Sequence, residues 1–82
     1  METKITEILK KYNYIYQGFY NLRVEKHGID YVIIDDFEEF YYGSQDFDNL
    51  LEDLTSDLKK IFKKDSLYLD CEYPGRWEIS FM

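Results

Sequence analysis

Residues 46–63 read DFDNLLEDLTSDLKKIFK, and this stretch decides the fold. Turned by about 100° per residue, Phe47, Leu50, Leu51, Leu54, Leu58, Ile61 and Phe62 fall within an arc of about 120°. That pattern predicts an amphipathic helix with a single apolar face. Asp46 and Asp48 stand at its positive end and Lys59, Lys60, Lys63 and Lys64 at its negative end, as the helix dipole prefers. Gly43, Ser44 and Asp46 supply the break and the candidate caps before it. Such a face needs a second layer, and the residues downstream provide one. Leu67, Leu69, Cys71 and Tyr73 alternate with Tyr68, Asp70 and Glu72, the two-residue period of a strand. Pro74-Gly75 reads as a type II turn. Trp77, Ile79 and Phe81 form the inward side of a closing strand. The expected core is Leu50, Leu51, Leu54, Leu58 and Ile61 packed on Leu67, Leu69, Trp77, Ile79 and Phe81, with Cys71 on the same inward face as a small buried hydrophobe.

Upstream, Ile5, Ile8, Leu9 and Tyr12 recur at helical spacing, with Thr3 as a cap and Lys10 and Lys11 toward the carboxyl end. In the stretch FYNLRVEK, Tyr20, Leu22 and Val24 share one face. His27-Gly28 reads as a tight hairpin turn, with His27 at its exposed tip and IDYVII returning as a second strand. DFEEFYY, residues 36–42, reads as a third. The order α-β-β-(β)-α-β-β places the chain in the α+β class: two helices on an antiparallel sheet of four to five strands, one domain over residues 1–82 without repeats.

The 82 residues include nine Tyr, six Phe and one Trp. Large rings let so short a chain bury enough surface to order itself, which excludes disorder. A single cysteine excludes an internal disulfide and points to a reducing, cytoplasmic setting. No apolar run reaches the roughly 18–20 residues of a membrane span. A formal charge of −7 opposes direct binding to nucleic acid or to an anionic membrane.

Catalytic chemistry finds little footing. His27, the only histidine, is assigned to a turn, and Cys71 to the inward face of a strand. One Cys and one His fall short of a zinc site, which needs about four ligands. The acids near residue 46 lack the spacing of a calcium loop. The four glycines stand too far apart for a phosphate cradle. No enzyme, metal or cofactor is expected.

Charge distribution carries the strongest functional signal. All ten basic residues lie outside residues 27–58, while Asp30, Asp35, Asp36, Glu38, Glu39, Asp46, Asp48, Glu52, Asp53 and Asp57 lie inside. Tyr31, Phe37, Phe40, Tyr41, Tyr42 and Phe47 are interleaved with them. One reading makes these acids a solvated helix back. The other makes them a phosphate-like face steered to the cationic channel of a nucleic-acid-binding protein. On the second reading the acids are exposed, and reversing Asp35 and Glu38 leaves the fold intact.

The stretch from Leu22-Arg23-Val24 to Tyr31-Val32-Ile33, bracketing a glycine turn, following a short helix ITEILKKY and preceding acids, resembles a phage anti-CRISPR family that inhibits a type II CRISPR effector nuclease by mimicking DNA. The resemblance implies Asp35, Asp36, Glu38 and Glu39 as contacts. Tyr41-Tyr42-Gly43 followed by Phe47-Asp48-Asn49-Leu50-Leu51-Glu52-Asp53-Leu54-Thr55 is similar to the segment by which the barstar family plugs its ribonuclease, which implies Tyr41, Asp48 and Glu52. With Asp46 at the helix start, these residues define the expected surface. The leading expectation is an intracellular inhibitor of a basic nucleic-acid-processing protein. An immunity protein against a toxin nuclease and a small assembly subunit are the alternatives.

Overall fold

The computed structural model describes residues 1–37 and 45–82, with side chains throughout except at 72 and 73. Helix α1 (Glu2–Ile15) leads into the hairpin β1 (Leu22–His27) and β2 (Asp30–Asp35). Helix α2 (Gln45–Phe62) leads into the hairpin β3 (Leu67–Tyr73) and β4 (Arg76–Phe81). The four strands form one antiparallel sheet in the order β1-β2-β4-β3. This is the expected α+β architecture. The segment read as a third strand falls mostly on 38–44, outside the described residues.

The topology repeats although the sequence does not. Each half is a helix followed by a hairpin, α1 packs on β1 and α2 on β3, and β2 and β4 join the halves. Exchanging the halves leaves the strand order unchanged. Ile8 and Ile61 line one groove between the helices, and Tyr12 bonds Asp57. The helices therefore run antiparallel over one face of the sheet. Between the layers lie Ile5, Leu9, Tyr12, Ile33, Leu50, Leu54, Leu58, Leu67, Trp77 and Ile79, with Leu51, Ile61 and Leu69 partly buried at the margin. Phe81, expected in the core, is 40% exposed. It ends β4 and packs edge-on against Phe62 at the last turn of α2.

Local chemistry corrects four further expectations. Met1, not Thr3, precedes the first turn of α1, and no side chain caps it. That helix continues to Ile15, so Lys10 and Lys11 lie before its last turn rather than in it. His27 is the last residue of β1, paired with Asp30. The two-residue turn is Gly28-Ile29, with positive φ at Gly28 (65°) as the first loop position of a type II′ turn requires. Cys71 is exposed although it pairs with Trp77 in the register of Leu69 and Ile79; it stands toward the end of the edge strand β3, just before the register shift at Tyr73. Gly75 does adopt the positive φ (88°) expected after Pro74.

The end of α2 is a Schellman motif. Lys63 takes a left-handed φ of 56°, and the Lys64 N–H reaches back to the carbonyl of Lys59 at 3.3 Å. The chain thereby turns directly into β3.

Candidate partner-binding surface

Folding scatters the acidic window in three directions. Asp35 goes inward: two-residue alternation puts it on the face of Ile33, and it is 1% exposed. Its Oδ1 accepts the N–H of Asn21 at 2.9 Å and that of Phe37 at 3.1 Å. Asp35 is therefore a structural clamp, not an exposed contact. Reversing its charge would bury a cation where two N–H donors point, so the fold would not survive intact. The alternation Tyr31, Ile33, Asp35 already carried this signal.

Asp36 turns outward and binds Arg23 Nε through both carboxylate oxygens, at 3.0 and 2.9 Å. Asp57 faces the helix seam, where Lys11 Nζ at 2.6 Å and the Tyr12 hydroxyl at 2.5 Å both donate to its Oδ2. Burial pushes the Asp57 carboxyl up, but the Lys11 and Tyr12 hydrogen bonds outweigh it and hold the group below the usual carboxylate range. Burial, then the Asp57 carboxylate, raises the Tyr12 phenol. Tyr16 is raised by burial and then by the charges of Asp46 and Asp53. Asp46 and Asp53 thus lie along the same seam.

Asp48 and Glu52 occupy the other flank of α2. Four residues apart, they stand about 6 Å from one another along the axis. Gln45, Asn49 and Ser56, uncharged, lie between the two acidic rows. Asp46, Asp48, Glu52 and Asp53 are exposed. Among the described residues none of the four forms an ion pair. Glu38, Glu39 and Tyr41 lie outside the described residues.

The adjoining end of the sheet is tightly built. Asn13 on α1 accepts the Leu22 N–H at 2.7 Å and donates to the Leu22 carbonyl at 2.9 Å, closing the free edge of β1 at that point. Asp36 N–H bonds the Asn21 carbonyl at 2.9 Å, and Asp35 N–H bonds the Gly75 carbonyl at 2.8 Å. Phe47 at the start of α2 packs on Tyr20 and Trp77. On these braced segments Phe19 and Phe37 are 54% and 41% exposed. Sequence reasoning missed Asn13 and Phe19, because side chain–backbone bonds and loop exposure leave no periodic trace.

On the face of the sheet away from the helices, Arg23, Glu25, His27 and Arg76 form a chain of polar contacts. Glu25 pairs with Arg23 and, at 2.9 Å, with His27 Nε2. Hydrogen bonds from Arg23 and then His27 hold the Glu25 carboxyl at about 2. Arg76 Nη2 stands 3.4 Å from His27 Nδ1. Both ring nitrogens of His27 thus have polar neighbours. Among the described residues no cluster of His, Cys, Asp and Glu is placed to hold a metal ion, and no helix is long and apolar enough to cross a membrane. Compared with protein-family models, curated proteins and solved structures, the chain matches none of them.

Proposed function

We propose that this chain is an acidic protein inhibitor that occupies the cationic site of a nucleic-acid-processing protein, acting in the cytoplasm as a DNA-mimicking anti-CRISPR protein does. One observation carries the reading. Asp46, Asp48, Glu52 and Asp53 are held exposed on the first turns of α2 and form no ion pair among the described residues, in a chain that has ten basic residues to place. Two carboxylate rows on a rigid helix present repeated negative charge at fixed spacing. A cationic groove would be steered to them, and nucleic acid would be displaced from it. The reading assigns the protein no catalytic step and no cofactor.

The test is DNA cleavage by a guide-loaded type II CRISPR effector nuclease with increasing amounts of the purified protein. Inhibition is expected at low salt, weakening steeply as ionic strength rises, and lost in the double variant Asp48→Lys, Glu52→Lys. Inhibition of a basic ribonuclease instead would favour the immunity-protein reading. Inhibition of neither enzyme, with salt-insensitive assembly into larger particles, would overturn the proposal in favour of an assembly subunit.

A further inference from the structure

The carboxylate rows account for attraction but not for a long-lived complex, because exposed charge pairs contribute little once screened. Two exposed rings at the adjoining end of the sheet offer what the charges lack. Phe19 and Phe37 sit on the two backbone segments that the buried Asp35 carboxylate ties together through the Asn21 and Phe37 N–H groups. The Asp36–Asn21 backbone bond and the Asn13 clamp on Leu22 fix the same end. Loop rings usually lose freedom on binding, and here the backbone that carries them is already braced.

Resting on the inhibitor reading above, we propose that Phe19 and Phe37 are the apolar anchors of the interface, inserting into an apolar recess rimmed by Arg or Lys on the partner. Charge complementarity chooses that occupant: Asp46 and Asp48, exposed, begin α2 on either side of Phe47, which packs on Tyr20, the chain neighbour of Phe19. A neutral apolar partner would have to desolvate these carboxylates without replacement, whereas a basic rim pairs with them. The acids set the rate of encounter and the rings set the lifetime.

Two synthetic peptides of equal charge serve as probes, one of arginine and glycine only and one with tryptophan in place of glycine, each titrated into the isotope-labelled protein and followed by amide chemical shifts. The tryptophan peptide is expected to bind at least about tenfold more tightly. It should shift the amides of Phe19, Asn21 and Phe37 as well as those of residues 45–53. Phe19→Ser with Phe37→Ser should abolish the difference while leaving the arginine peptide's affinity unchanged. Equal affinities, with shifts confined to α2, would overturn the anchor proposal and leave the inhibitor reading standing. Failure of both peptides to bind at low salt would overturn both. The melting temperature of the serine variant is measured alongside; if it falls, Phe37→Ser alone replaces the double variant in the same titrations.

Discussion

Asp57 and Asp48 lie on the same helix, nine positions apart, and do opposite things. Asp57 turns toward α1, where Lys11 and Tyr12 absorb its charge into the packing of the two helices. Asp48 turns to the other flank and keeps its charge for solvent or a partner. The difference is the half-turn between them, not composition. Asp57 becomes structural because Lys11 and Tyr12 donate to it. Asp46 and Asp53 on the same seam, and Asp48 and Glu52 on the other flank, stay exposed, and only the exposed acids are open to a function.

The largest expected effect lies under both residues. Leu54, 2% exposed, anchors the shared face. Leu54→Ala should cost about 2–5 kcal/mol through lost transfer energy and a cavity, read as a large fall in melting temperature. An unchanged melt would remove the core on which the comparison rests. Next comes Asp35, a third kind of acid. Asp35→Ala leaves the Asn21 and Phe37 N–H groups without their acceptor, at about 1–3 kcal/mol for each donor left buried. Chemical denaturation measures the loss, and amide exchange should rise first at Asn21 and Phe37.

Asp57 gives a pH-dependent contrast. Its folded-state acidity is stronger than that of the unfolded chain, so its contribution is complete above the ordinary carboxylate range, about pH 4. That contribution is lost as pH falls through the lower folded-state value. Asp57→Asn should therefore be less stable than the parent at pH 7 and converge with it in acid. Glu25 sharpens the point, since its carboxyl should titrate near pH 2 by NMR, while Arg23→Gln returns it toward its ordinary value. A parallel loss at every pH would mean that Asp57 contributes by shape alone. The smallest effect is at Lys63, whose left-handed backbone suits glycine; Lys63→Gly should raise stability by up to about 1 kcal/mol.

Much of this architecture was legible because periodicity survives folding. The 46–63 arc, the alternation at 67–73 and 76–81, and the Gly28 and Pro74-Gly75 turns place the described elements within a residue or two. The exceptions are α1, which runs one turn further, and β1, which starts only at Leu22, three residues after Phe19. What escaped had no period. Asn13 works through two backbone bonds to a strand edge, and Cys71 is exposed against its place in the alternation, toward the end of an edge strand. His27 was displaced by one position because Gly28 alone supplies the positive φ that the turn needs. The candidate surface was half legible. Charge segregation marked the window, but only geometry separates the buried Asp35, the paired Asp36 and Asp57, and the exposed Asp46, Asp48, Glu52 and Asp53.

That separation is tested most directly by competition between this protein and duplex DNA for the guide-loaded effector nuclease, across a salt series. Asp48→Lys with Glu52→Lys is compared with Asp65→Lys and Asp70→Lys, two exposed acids outside the window. Both pairs change net charge equally and should alter stability by no more than about 0.5 kcal/mol per site. The predicted result is loss of competition and of its salt dependence in the first pair alone. Equal weakening by both pairs would contradict the account, because net charge, and not a defined carboxylate surface on α2, would then be the whole effect.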